Sequence, residues 1–413
     1  MNQKLGNAIV GQSGGPTAAI NATLSGVIRG VREGVHGGVI QTLYGMRNGV
    51  EGFLREELIN LTECFDDEDK LELLERTPAS ALGSCRKRLP DPHSGDGIYD
   101  RIFSIFRKYD IRYFFYIGGN DSMDTVAKLS EYARSKGEDI VILGIPKTID
   151  NDLMETDHTP GYGSAAKYVA VATQEIIRDC AVYRIPAVTI IEIMGRDSGW
   201  LTAASAVGRK INGIEPDLVY LPERSFSNTQ FLSDVKRVLE DHPNVVVAVS
   251  EGLRYANGCY VSESESGEPR DEYGHLRLSG TGKVLEMLIR REIGCKVRSV
   301  ELNLPQRCAA HLLSKTDITE SIQIGRSAVV FAAIKGITSA MLTIIRCSNQ
   351  PYRIEIGCVA AAGVANRVKN MEDPYINSEG NHITDACCDY IAPLIQGEMG
   401  SKFVNGLPMH FVF

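Results

Sequence analysis

Short apolar runs, each followed by a glycine or polar cluster, set the pattern of this chain. Ala8-Ile9-Val10 leads into Gly11-Gln12-Ser13-Gly14-Gly15-Pro16 and then a helical stretch from Ala18 to Arg32. Arg112 to Ile117 leads into Gly118-Gly119-Asn120-Asp121-Ser122 and a helix ending near Arg134. Ile140 to Ile145 leads into Pro146-Lys147-Thr148-Ile149-Asp150-Asn151-Asp152. Ala187 to Ile193 leads into Met194-Gly195-Arg196-Asp197-Ser198-Gly199 and a helix from Trp200 to Val207, and Val245 to Val249 leads into Ser250-Glu251-Gly252. Apolar strands alternating with helices predict an α/β fold of parallel-rich, doubly wound sheets. Ligands bind outside the carboxyl ends of such strands, and each of these clusters falls at one. Thr159-Pro160-Gly161-Tyr162-Gly163 interrupts the pattern and marks a domain change near residues 155–165. Glu63 to Glu75 reads as an acidic helical insertion, and Ser262 to Gly274 as an exposed loop.

Composition narrows the function classes. The chain has 413 residues, 43% hydrophobic and 23% charged, the profile of a soluble globular protein with room for two domains. A net charge of -8 without a long basic run argues against a nucleic-acid binder, so any anion site must be local. No apolar run approaches a membrane span. Ten cysteines without a CxxC pair, and no cleavable leader over Met1 to Lys4, read as a reduced, cytoplasmic protein.

The turn from Pro146 to Asp152 places an ammonium, a hydroxyl and two carboxylates within a few residues. Such a set suits chemistry on an anionic substrate. Phosphoryl transfer needs positioning, charge neutralisation and a group that takes the hydroxyl proton. Asp150 is the candidate base, Asp152 a partner to it or to a metal, Thr148 a hydrogen-bond donor, and Lys147 a neutralising cation. The plain alternative is an Asx-rich turn with a solvated lysine. Gly14 and Gly15, between a strand and a helix, suit phosphate approach, although neither G-x-G-x-x-G nor the P-loop pattern fits. Gly119, Asn120, Asp121 and Ser122 could serve a metal-bound phosphate or simply cap a helix. Arg86 lies in a basic turn, Gly83 to Arg88, and Arg298 and Arg307 in a charged stretch where solvated arginines are the ordinary expectation. Ser279 to Lys283 resembles a P-loop only superficially and reads as a structural turn.

Taken in order, these motifs resemble the phosphofructokinase family. The resemblance rests on Gly14-Gly15 with Asn21, Gly83-Ser84-Cys85-Arg86, Gly118 to Ser122, Thr148 to Asp152, Met194-Gly195-Arg196, Glu251 and Gln306-Arg307. It implies two Rossmann-like domains facing a central cleft. One, residues 1–160 plus about 306–350, would hold the phosphoryl donor. The other, about 161–305 plus about 351–413, would hold the sugar phosphate. By match, Asp150 takes the proton from the C1 hydroxyl of fructose 6-phosphate. Thr148, Arg86 and Arg196 stabilise the transferring group. Met194, Gly195, Arg196, Glu251, Arg298 and Arg307 bind the sugar phosphate, with Arg298 expected to serve a neighbouring subunit in a homodimer or homotetramer.

ATP-using members resemble Gly-Gly-Asp-Gly-Ser and Pro-Gly-Thr-Ile-Asp, whereas this chain carries Asp121 and Lys147 at the variable glycines. That pair resembles the pyrophosphate-dependent branch. A carboxylate at 121 would fill and repel the space of an α-phosphate, and Lys147 would add charge for a small donor. A charge contact at effective dielectric ~20 is worth about 4 kcal/mol, enough to decide between donors. The implied cofactor is Mg2+, with Asn120, Asp121 and Asp152 as candidate ligands. The implied reaction is the reversible transfer from pyrophosphate that interconverts fructose 6-phosphate and fructose 1,6-bisphosphate in glycolysis and gluconeogenesis. Its rivals are an ATP-dependent enzyme and a non-catalytic subunit of the same fold.

Overall fold

The computed structural model describes residues 5–182, 184–264 and 280–413. The loop expected over Ser262 to Gly274 lies outside the described residues from position 265 on. The strands are β1 (Gly6–Gln12), β2 (Ile40–Met46), β3 (Leu58–Asn60), β4 (Ile111–Gly118), β5 (Val141–Pro146) and β6 (Ala187–Ile193). After them come β7 (Leu218–Tyr220), β8 (Asn244–Ser250), β9 (Lys296–Glu301), β10 (Ala340–Asn349) and β11 (Tyr352–Ala360).

They form two main sheets, one of seven strands ordered β11-β10-β5-β4-β1-β2-β3 and one of four ordered β7-β8-β6-β9. The smaller sheet is wholly parallel. The larger is parallel except at its two ends, where β3 and β11 run antiparallel. β4 and β5 are buried almost throughout, because helices cover both faces. The chain leaves β1 toward β2 on one side and pairs with β4 on the other, so the loops after β1 and β4 diverge at a switch point. The loops after β6, β8 and β9 meet in the same way.

The expected split at about residue 350 is corrected by the structure. Gln350 and Pro351 separate β10 from β11, and this hairpin keeps residues 352–360 on the larger sheet. Residues from Met371 to Leu394 then pack on the smaller sheet's core beside Ile191, Trp200 and Val219. The last residues return to the first core, where Phe411 and Phe413 meet Phe65 at ring centroid distances of 4.9 and 5.9 Å. Apolar side chains in the tail, rather than chain order, decide which half each segment joins. Trp200 is 1% exposed, as expected of a core residue. Its helix is shorter than expected: Trp200–Ala203 is α-helical and Ala204–Lys210 tightens to 3-10 geometry.

The helix Ile20–Arg32, which opens at the glycine loop, packs tightly on Lys315–Ala333. A Cβ on Gly26 would lie 2.2 Å from the Ile322 carbonyl oxygen, and one on Gly325 2.2 Å from that of Thr23. Alanine in a helix gains about 1 kcal/mol over glycine. Here a backbone neighbour must move, and overpacking costs about 1–3 kcal/mol. The clash offsets or outweighs that gain, so Gly26→Ala is expected to lower the urea unfolding free energy by up to about 2 kcal/mol; a variant more stable than wild type would contradict the close crossing.

Candidate active site

The first half of the site is built at the switch point of the larger sheet. Gly14 has φ +76°, a left-handed backbone that glycine adopts without strain. Its N–H donates to the Cys85 carbonyl at 3.2 Å, and its carbonyl accepts from Ser84 Oγ at 2.6 Å. The Gly83–Arg88 segment is thereby docked along the glycine loop. Beyond β5, the Lys147 N–H donates to the Gly118 carbonyl at 3.0 Å, and Lys147 Nζ reaches across to the Gly15 carbonyl at 2.6 Å. A Cβ on Gly14 would stand 3.5 Å from Lys147 Nζ, and one on Gly15 3.7 Å from Arg307 Nη1. Two cations therefore flank the bare glycine backbone. Lys147 is only 3% exposed. Burial pulls its ammonium down to about 8; Arg307 and Arg86 act in the same direction, while Asp150 and Asp152 oppose them.

The acidic turn follows directly. Thr148 Oγ1 accepts from the Asp150 N–H at 3.1 Å, and the Thr148 carbonyl accepts from Thr159 Oγ1 at 2.9 Å. Burial raises the Asp150 carboxyl above its ordinary range against the pull of Lys147 and Arg196. Burial and the charge of Asp150 push Asp152 up to about 7. The two carboxyls thus hold protons more strongly than solvated ones, the property a general base near neutrality requires.

The smaller sheet supplies the facing half. Gly195 has φ +145°, and a Cβ there would lie 2.5 Å from the Ser198 carbonyl oxygen. Ser198 Oγ donates to the Asp150 carbonyl at 3.0 Å, which ties the loop after β6 to the acidic turn. The Gly195 N–H points to Glu251 Oε1 at 3.4 Å, and the Met194 N–H donates to Gln306 Oε1 at 3.2 Å. Arg196 Nε is buried with no hydrogen-bond partner in the protein. A cleft lined by Glu192, Met194, Glu251, Glu301, Asn303 and Gln306 opens at these strand ends. Glu251 is pushed up to about 7 by burial, then by Asp150.

Most expected site residues therefore meet: Gly14, Gly15, Arg86, Lys147, Thr148, Asp150 and Asp152 on one side, and Met194, Gly195, Arg196, Glu251 and Arg307 on the other. Gly119 joins them, since a Cβ there would lie 3.6 Å from the Lys147 carbonyl oxygen. Arg307 reaches the glycine loop as well as the Asp150 neighbourhood, and burial and Arg86 both lower its proton affinity. Ser122 is 1% exposed, its Oγ so close beneath Gly118 that a Cβ there would be 1.8 Å away. It supports the loop from below rather than facing the cleft. Asp121 is exposed, and its carboxylate meets Arg88 at 3.0 Å. Arg88 carried no signal in the sequence beyond its basic turn. Arg298 stands apart: it pairs with Thr189, well before the carboxyl end of β6, and lies 3.9 Å from Asp179.

The match of the phosphofructokinase model to residues 7–354 decides the family. This chain belongs to the phosphofructokinase family. It is similar to the pyrophosphate–fructose 6-phosphate 1-phosphotransferase of Halomonas elongata, 39% identical over 404 residues, covering 97% of this chain and 94% of that relative. A protein of the same name from Xanthomonas campestris is 39% identical over 408 residues, covering 98% of this chain and 95% of the relative. Among solved structures, the pyrophosphate-dependent phosphofructokinase of Nitrosospira multiformis superposes with a TM-score of 0.88 at 36% identity, covering 98% of this chain and 96% of that one. These likenesses span both sheets.

Glu251 gives this phosphofructokinase site a pH signature. Its folded carboxyl keeps the proton to about 7, against an ordinary value of 4.5. Between those values the folded chain binds more protons than the unfolded one, so the ligand-free protein loses stability as pH rises. Glu251→Gln removes that slope. In urea unfolding, the variant is expected to gain up to about 3 kcal/mol on wild type between pH 4 and pH 8; parallel curves would contradict the assignment.

Proposed function

We infer that this chain transfers a phosphoryl group from pyrophosphate to the C1 hydroxyl of fructose 6-phosphate, releasing phosphate and fructose 1,6-bisphosphate, reversibly. The observation that carries this reading is the Lys147 ammonium, buried against the glycine loop where ATP-using relatives are expected to have no side chain. A desolvated cation favours a compact donor of high charge, and Asp121 at the neighbouring strand end disfavours an α-phosphate.

Each group takes one part in the reaction. Asp150 accepts the C1 hydroxyl proton as that oxygen bonds to the near phosphorus. The bridging P–O bond breaks, and its electron pair leaves with phosphate. Lys147, Arg86, Arg196 and the Thr148 hydroxyl offset the charge on the three peripheral oxygens. Gly14, bare of a side chain, leaves room for the donor beside Lys147, and Gly15 and Gly119 give backbone N–H access to it. Met194, Gly195, Glu251 and Arg307 hold the sugar phosphate. Arg298, remote from this chain's own cluster, serves the site of a second copy in a homo-oligomer.

Among the described residues no group of three or more His, Cys, Asp and Glu side chains is arranged to hold a metal. The residues nevertheless fit Mg2+, which binds through one or two carboxylates plus substrate phosphates. Asp150 and Asp152 share a charge burden that a dication relieves, and Asn120 Oδ1 is buried without a partner. Bound there, Mg2+ would neutralise pyrophosphate; Asp121, engaged by Arg88, is the weaker candidate ligand. No helix among the described residues is long and apolar enough to cross a membrane, and all ten cysteines are free thiols. The free thiols support a cytoplasmic enzyme.

Two variants test the roles. Asp150→Asn is expected to lower kcat by about 10²–10⁴-fold with KM within a few-fold; retained kcat would remove Asp150 as the base. Asp121→Gly combined with Lys147→Gly is expected to cut kcat/KM for pyrophosphate at least tenfold; undiminished pyrophosphate use would remove both residues from donor choice.

A further inference from the structure

Between the two carboxylates of the acidic turn sits Asn151, fully buried at 0% exposure and held at φ 54°. Left-handed backbone is uncommon for any residue with a Cβ, and asparagine tolerates it best. The Asn151 side chain does not bond to its own turn. Its Nδ2 donates at 2.9 Å to the hydroxyl of Tyr390, which lies 239 residues further along the chain. That hydroxyl in turn donates to the Asp157 carbonyl at 2.6 Å. Both polar functions of the phenol are thus spent on the segment between β5 and the helix Tyr162–Cys180.

Tyr390 is itself fixed. The Arg346 guanidinium lies 4.4 Å from its ring centroid, and Arg346 Nη1 donates to the Tyr390 carbonyl at 2.9 Å. The same guanidinium pairs with the Asp157 carboxylate through Nε at 3.0 Å and Nη2 at 2.9 Å. Asp157 is also engaged by His158 Nδ1 at 2.7 Å, whose Nε2 meets Glu320 at 2.6 Å. Glu320 accepts from the Tyr352 hydroxyl at 2.7 Å. From the other side, the Lys369 N–H donates to the Asp152 carbonyl at 2.7 Å, and Lys369 Nζ donates to the Thr156 carbonyl at 3.0 Å. Side chains from β10, β11, the helix Lys315–Ala333 and the helix Asp385–Ile391 converge behind the turn that carries Asp150 and Asp152. None of them is needed for the chemistry set out above.

We propose that Tyr390, through its hydrogen bond to Asn151, is a positioning residue that holds Asp150 and Asp152 in the geometry for proton abstraction. The bond reaches the one residue between the two carboxylates, and it arrives from a segment that packs on the smaller sheet. It therefore sets the acidic turn against the sugar-binding half as well as shaping it locally. A buried polar network of this kind favours one arrangement over alternatives, and Asn151, whose Oδ1 is buried without a partner, is held in it through Nδ2. Small errors in placing a catalytic group are costly, because the reacting atoms must meet within a narrow range. The proposal rests on the reading of Asp150 as the base.

The test is Tyr390→Phe, which removes the hydroxyl and keeps the ring against Arg346 and Trp200. Steady-state rates per folded enzyme, in both reaction directions, are expected to show kcat at least tenfold below wild type, with KM for both substrates within about twofold. Tyr352→Phe is the control. It breaks a bond in the same network that does not touch the acidic turn, and is expected to lower the thermal midpoint while leaving kcat within twofold. A Tyr390→Phe enzyme with wild-type kcat would overturn the proposal, whatever its melting temperature. Equal losses of kcat in the two variants would also overturn it, since the effect would then belong to general loosening. Should wild type turn over with ATP and not with pyrophosphate, the donor assignment fails, and the same kcat comparison made with ATP still decides the role of Tyr390.

Discussion

The buried Lys147 ammonium is the constraint on which the rest of the site depends. A charge taken out of water must be compensated, and Lys147 finds only partial compensation. It has one carbonyl, that of Gly15, and the fields of Asp150 and Asp152, against the opposing fields of Arg307 and Arg86. The carboxylates have the converse problem, since burial raises the proton affinity of both. Each sign of charge tempers the other, and neither is satisfied. On the proposed function, a small, highly charged donor with a dication would complete such a site from outside, offering anionic oxygens to the lysine and arginines and a cation to the acids.

The fold makes this concentration of charge possible by geometry. Loops from two parallel-rich sheets converge, and each reaches the cleft at a switch point where neighbouring loops diverge and leave room. The backbone is brought close by glycine at the two places where it is needed. Gly14 takes a left-handed conformation beneath Lys147, and Gly195 a conformation in which a side chain would strike Ser198. Among the described residues, the direct side-chain bond joining the loop after β6 to the acidic turn is that of Ser198 to the Asp150 carbonyl. Alignment of the halves falls instead to what lies behind that turn: Asn151, Tyr390, Asp157 and Arg346.

Much of this was legible in the sequence, for a physical reason. Strand-end clusters are local in the chain, so Gly14-Gly15, Lys147 to Asp152 and Met194 to Arg196 could be read as units, and the parallel architecture brings them together without further information. What was not legible depends on long-range packing. Nothing near Tyr390 announces a bond to Asn151, and nothing near Lys369 announces one to the Asp152 carbonyl. The domain division at about 350 failed because a two-residue connection between β10 and β11 forces a hairpin, and the two terminal phenylalanines find their pocket on the first core. Arg88 is indistinct within its basic turn, since only the fold brings it to Asp121.

By the proposed function, this charge arrangement selects the donor. The most direct measurement of that selection is the initial rate of fructose 1,6-bisphosphate formation by the purified chain with Mg2+ and fructose 6-phosphate, given pyrophosphate or ATP at equal concentration. Turnover with pyrophosphate is expected to be at least a hundredfold faster than with ATP. Equal or faster turnover with ATP would contradict it.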